Sequence, residues 1–157
     1  MSQEQWKQDV VTYVDKTRFA VLAYVRNDAA PLLRSMGSFV PSGLDLYFST
    51  RKDAAKVKEI ADNSRISFLF EHDNQELNQW QSVLLIGDAV KVDSGEELNK
   101  AVELLSNRNP RFRERVDKGE LALTQIFKLK TEEVEYLDYG KGFGHVEKVI
   151  LQKSESL

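Results

Sequence analysis

Between residues 47 and 58 the chain reads YFSTRKDAAKVK, which places Ser49, Thr50, Arg51, Lys52, Lys56 and Lys58 where strand-forming residues give way to a helical pattern. Such a junction suits a phosphate: a cation neutralises it, hydroxyls donate to its oxygens, and the free N–H groups of a helix start point at it. Ser49, Thr50, Arg51 and Lys56 meet those needs. Asp53 opposes them, because as a helix N-cap it would occupy the N–H groups and repel an anion, so the cations must lie to one side of it. Charge pattern alone equally fits lysines that only keep an exposed helix face solvated.

Other groups with chemical potential are fewer. The triplet EHD (71–73) offers metal-type ligands around His72, but the chain has two histidines in all and the spacing matches no usual zinc or iron pattern. NRNPRFRER (107–115) is locally basic with one aromatic, diluted by Glu103, Glu114 and Asp117, so no nucleic-acid role is expected. No G-x-S-x-G elbow occurs, which argues against a serine hydrolase. The absence of cysteine excludes thiol catalysis, disulfides and cysteine-held metal.

The elements that must carry these residues follow from the whole chain. Its 157 residues fit one domain, and 41% hydrophobic with 30% charged residues mark a chain that is neither disordered nor embedded in a membrane. No apolar leader opens the sequence, so the cytoplasm is the expected compartment. A formal charge of −3 speaks against a broad basic surface while leaving room for a local anion site.

Ser2 and Gln5 have capping-box spacing, and Trp6, Val10, Tyr13 and Val14 recur at helical intervals, which predicts a helix over 2–16. RFAVLAYVR (18–26), PLLRSMGSFV (31–40) and LDLYFS (44–49) read as three strands of an antiparallel meander, with turns at Asn27–Asp28 and at 41–43. Ala54, Val57, Ile60 and Ala61 share one face of a helix over 53–62, with Lys56 and Glu59 outside it. RISFLFEH (65–72) and WQSVLLIGDAVKV (80–92) are further strands, the latter with a bulge or bend at Gly87. Ser94 and Glu97 suggest a second capping box for a helix that Pro110 ends, and FRERVDKG adds a helical turn. LTQIFKLKTEEVEYL (123–137) supplies one long or broken strand. Six strands with a few helices predict a mainly β fold, a small barrel capped by helices.

The stretch YFSTRKDAAKVKEIADNSRISFLF resembles the strand–helix–strand of the pyridoxamine 5′-phosphate oxidase-like, FMN-binding split-barrel superfamily. PLLRSMGSFV looks like that family's flavin-flanking strand, and WQSVLLIGDAVKV like its glycine-bearing strand, so the likeness covers roughly residues 10–92. It implies a six-stranded antiparallel Greek-key split β-barrel, with Lys56 as the phosphate-binding lysine and Asn63 closing the helix. It also implies a homodimer with two flavins at the interface, to which Trp80, Gln81 and Ser82 of a second subunit contribute. An isoalloxazine ring needs an apolar slot with a polar edge and nearby positive charge. Arg34, Ser35 and Met36 suit that edge, and Gly37 permits close backbone approach. A salt bridge on the barrel wall for Arg34, and simple core filling for Met36 and Trp80, account for the same residues without a flavin.

The departures narrow the chemistry. Pyridoxamine phosphate oxidases carry an Arg before the lysine, where this chain has Ala55, and a C-terminal Arg–Leu–His–Asp–Arg segment, where it reads YLDYGKGFGHVEKVIL. Vitamin B6 oxidation is therefore not expected. The resemblance implies an FMN-dependent oxidoreductase acting on a small molecule, or a flavin-binding stress protein of little turnover. YGKGFGHV (139–146) is similar to the tail of haem-degrading split-barrel proteins, which makes haem bound through His145 the alternative cofactor. The same glycines also fit a plain turn in a frayed C-terminal tail spanning 139–157.

Overall fold

The computed structural model describes residues 3–151. Its strands are β1 (Ala20–Val25), β2 (Pro31–Met36), β3 (Phe39–Ser42), β4 (Asp45–Arg51), β5 (Arg65–Glu71), β6 (Gln81–Val92), β7 (Thr124–Asp138) and β8 (Val146–Ile150). Four α-helices accompany them: α1 (Gln3–Asp15), α2 (Ala55–Asp62), α3 (Gly95–Arg108) and α4 (Pro110–Asp117). The strands hydrogen-bond in the order β2-β1-β5-β6-β7-β4-β3, every pair antiparallel, with β8 added alongside β7. The fold is the mainly β split barrel with peripheral helices that the sequence predicts.

Two differences raise the strand count from six to eight among the described residues. PLLRSMGSFV is not one strand: Gly37 and Ser38 interrupt it, β2 pairs only with β1, and β3 pairs only with β4. The expected meander is thus broken into two hairpins at opposite ends of the strand order. Met36 and Phe39 nevertheless stand only three residue steps apart, roughly 10 Å at full extension. The two edges of the sheet must therefore lie side by side, which curls the sheet into a barrel whose seam carries no ladder. The second difference is the tail. Val146–Ile150 is a strand pairing with Glu133–Leu137 rather than a frayed end, because the 142–145 turn brings it back antiparallel to β7.

The barrel interior is aromatic. Phe39, Phe48, Phe68, Phe70 and Phe127 are fully buried, with Phe48 against Phe68 at 4.9 Å and against Phe127 at 5.3 Å between ring centres. Helix α1 closes one end with Trp6, Val10, Tyr13 and Val14, as its spacing predicts; Ser2, the first half of the expected capping box, lies outside the described residues. A second apolar cluster lies beneath α3 and α4, where Ala101, Leu105 and Phe112 cover Val40, Tyr47, Val92 and Ile126. Pro110 ends α3 and starts α4, where its missing N–H is harmless. Ser94 is the N-cap of α3 but makes no side-chain cap bond, and Glu97, the other half of the expected box, turns to Lys128 and the Tyr47 hydroxyl.

Gly87 sits at the expected bulge, where the β6–β7 register shifts. A Cβ there would lie 2.0 Å from the Lys130 carbonyl oxygen, so only glycine fits this crossing. The bulge re-aims a long strand so that β6 and β7 can close the barrel.

Candidate functional site

The seam between β2 and β3 opens into a cavity of about 380 Å³. Ser35, Met36, Gly37 and Ser38 line it from the seam, Ser49, Thr50 and Arg51 from β4, and Lys56 from α2. The fold thus unites seven of the eleven predicted residues without their partners in sequence being near: Ser35, Met36, Gly37, Ser49, Thr50, Arg51 and Lys56.

Each side chain has a definite setting. Ser49 is buried, its N–H donates to the Ser38 carbonyl at 3.1 Å, and the two hydroxyls form a short hydrogen bond at the cavity wall. Lys56 lies half-buried rather than on the solvent face the helical pattern gave it, with its ammonium donating to the Met36 sulfur at 3.6 Å. Burial, and then the nearby Arg34 charge, pull the Lys56 amine below its ordinary pKa. A cation so placed favours an anion, because both causes penalise the charged form until a counter-charge arrives. Among the described residues no carboxylate pairs with Lys56 or with Arg34.

Asp53 does not cap α2. The helix begins one turn position later behind Ala54, and the Asp53 carboxylate pairs with Arg51 at 3.1 Å, both side chains well exposed. That pair holds Asp53 below the usual carboxylate range and raises Arg51. Arg51 therefore lines the cavity with its charge already answered, whereas Lys56 and Arg115 line it without an ion pair among the described residues. Asn63 closes α2 as expected, its N–H donating to the Glu59 carbonyl at 3.0 Å. Ala61, expected on the buried face, is exposed, while Val57 and Ile60 anchor the helix.

Arg34 stands beside the cavity rather than in its wall. It shares one face of β2 with Met36, donates to the Leu33 carbonyl at 2.9 Å, and forms no salt bridge on the barrel wall. Trp80, Gln81 and Ser82 are not in this cavity. Gln81 and Ser82 begin β6 opposite Asp138 and Leu137, with Trp80 just before them, whereas the cavity adjoins the other end of β7 at Thr124. There the indole of Trp80 donates to Glu71 at 2.9 Å, so this tryptophan is a half-buried surface group and not core.

Five residues that sequence reasoning did not assign also line the cavity: Ser38, Arg115, Glu120, Leu123 and Thr124. Arg115 belongs to the basic stretch noted above, which gave the only available signal. The histidines are accounted for otherwise. His72 stacks on Tyr13 at 3.7 Å and its Nε2 meets the Tyr13 carbonyl at 2.9 Å. His145 bonds Glu147 at 3.2 Å, beyond the far end of β7. Among the described residues no group of ligands could hold a metal, and no helix is long and apolar enough to cross a membrane.

One broad apolar surface lies outside the core. Val21, Leu69 and Leu84 stand in register across β1, β5 and β6, beside Leu33, Ala23 and Ile86, on the sheet face opposite the core. Leu33 is 64% exposed.

A family model described as pyridoxamine 5′-phosphate oxidase matches residues 7–136. No curated protein matches the chain. Among solved structures, a haem-binding protein from Mycobacterium smegmatis superposes with a TM-score of 0.76 at 14% identity, over 96% of this chain and 59% of that one. ChuZ from Campylobacter jejuni gives 0.76 at 11% identity, over 96% and 61%. General Stress Protein 26 from Bacillus anthracis gives 0.64 at 18%, over 94% and 99%. The chain spans about three fifths of the first two structures, and at these identities the likeness is one of fold.

Proposed function

Because the chain belongs to the pyridoxamine 5′-phosphate oxidase family, we propose that it binds FMN at the barrel seam and works as an FMN-dependent oxidoreductase on a small molecule. The observation that carries this reading is the half-buried Lys56, unpaired by any described carboxylate and facing a cavity walled by serine and threonine hydroxyls. Lys56 would hold the phosphate, Ser49 and Thr50 would donate to it, and Arg34 to Gly37 would border the ring. Bound flavin would supply the redox chemistry, and the protein would set its orientation and access.

The reading includes a homodimer. The apolar outer face of β1, β5 and β6 would be covered by a second copy, and Trp80, Gln81 and Ser82, remote from the cavity of their own chain, would serve that of the other. The haem reading draws on a structural neighbour named as haem-binding. Here His145 is engaged with Glu147, which argues for FMN first.

Absorbance spectra of the purified protein, titrated separately with FMN and haem, with its mass in solution, test the proposal. Saturable flavin binding by a dimer supports it. A Soret band lost in His145→Ala, with no flavin binding, would replace FMN by haem.

A further inference from the structure

Lys56 is a half-buried amine that no acid answers among the described residues. Its ammonium meets the Met36 sulfur at 3.6 Å, a weak acceptor, and the charge that acts on it is that of Arg34 on β2. The carboxylate in the cavity wall, Glu120, acts on Arg51 instead. On the same helix Lys58 is well exposed and paired with Asp62 at 3.1 Å. Burial beside a second cation is the setting that turns a lysine into a nucleophile, because both disfavour the ammonium and enlarge the share of free amine.

The cavity also holds anion donors other than this amine. Arg115, from α4, lines it without an ion pair among the described residues. The Ser49 hydroxyl is engaged with Ser38, whereas the Thr50 hydroxyl has no hydrogen-bond partner among the described residues. At about 380 Å³ the space is of small-molecule size. A small phosphorylated molecule thus finds two anchors beside a free amine.

We propose that Lys56 is a covalent modification site, acylated by small acyl phosphates whose phosphoryl group is held by Arg115 and Thr50 while the amine attacks the adjoining acyl carbon. The ammonium first loses a proton to water. The nitrogen then bonds to the acyl carbon as the bond from that carbon to the phosphate oxygen breaks. The bonding pair leaves with the phosphate, which takes the second proton from nitrogen. The products are an amide on Lys56 and inorganic phosphate, with no change in oxidation state. The amide carries no charge, so acylation would remove a phosphate-holding cation from the seam and block FMN loading, a consequence that rests on the cofactor reading above.

Treating the full chain with millimolar acetyl phosphate at neutral pH, and reading the acetylation rate of each lysine by peptide mass spectrometry, tests the site. Lys56 should react about fivefold or more faster than the exposed Lys52 and Lys58. Inorganic phosphate should slow Lys56 and not Lys58. Arg115→Gln and Thr50→Val should each slow Lys56 about threefold towards acetyl phosphate, yet leave its rate with neutral N-succinimidyl acetate within about twofold, with unchanged melting. A Lys56 rate no greater than that of Lys58, no protection by phosphate, or equal loss with both acyl donors would overturn the site. FMN keeps the two readings apart. Guided acetylation that millimolar FMN leaves untouched would refute the cofactor reading alone, and FMN binding without guided acetylation would refute the acylation alone.

Discussion

Replacing Lys56 by methionine should separate binding from stability. In the folded chain the amine is half-buried against Met36 with Arg34 nearby, and it is held below its usual 10.5, first by burial and then by that charge. A base whose folded pKa lies below its unfolded one costs stability while protonated; the cost is complete below the depressed value and is relieved as pH rises from there towards 10.5. At neutral pH the Lys56→Met protein without ligand should therefore melt at the same temperature or about 1–3 °C higher. Bound FMN would reverse the sign, since a phosphate compensates the ammonium. A charge-assisted hydrogen bond contributes about 1.5–3 kcal/mol, so Lys56→Met should raise the FMN Kd roughly 10- to 100-fold. Wild-type affinity should fall as pH rises through the depressed Lys56 pKa, whereas Lys56→Arg, charged throughout, should show no such fall. Flavin fluorescence titration from pH 6 to 10 with parallel melting reads all three. FMN affinity within twofold of wild type in Lys56→Met would refute the assignment.

Three further substitutions test the architecture around that lysine. Gly87→Ala drives a methyl into the Lys130 carbonyl at the β6 bulge and should cost about 3 kcal/mol in urea unfolding; a loss below about 1 kcal/mol would mean that the bulge yields. Leu84→Asp puts a charge at the centre of the apolar outer face, and light scattering should find the proposed dimer for the wild type and a monomer for the variant; an unchanged dimeric mass would move the interface elsewhere. Asp53→Asn releases Arg51 from its carboxylate at the rim of the cavity, so the FMN Kd should tighten by about 2- to 5-fold, and looser binding would show that the pair orders the site.

Much of this protein can be read locally because its hairpins and helices carry their own signals. Val10, Tyr13 and Val14 mark the buried side of α1, Gly87 marks the bulge, and the hydroxyl–lysine run from the end of β4 into α2 marks the cavity. The seam cannot be read this way. PLLRSMGSFV has strand formers on both sides of Gly37 and Ser38, and nothing within ten residues says that its halves must pair at opposite ends of the sheet. That exchange is set by closure of the whole barrel. Arg115 is hidden for a related reason, since α4 reaches the seam only after α3 has packed across β3, β4 and β6. Sequence places Lys56 on a solvated face because helical spacing describes α2 alone; Met36, which contacts it, is twenty residues away. Strand β8 is obscured by the glycines before it, and its exposed Val146 and Ile150 give no amphipathic pattern pointing inward.

The charge pattern also explains how an acidic chain can keep anion sites. Seven lysines and arginines are paired with acids among the described residues, among them Arg26 with Asp28, Arg51 with Asp53, Lys58 with Asp62, Arg65 with Asp88 and Lys128 with Glu97. Exposed pairs of this kind add little stability, but they cancel local positive potential. Most of the described lysines and arginines make no such pair, and among these Lys56 and Arg115 line the seam cavity. Potential concentrated in concave, partly buried walls is screened less by salt than potential spread over a surface. A net charge of −3 over the whole chain is thus compatible with positive charge gathered locally at the seam.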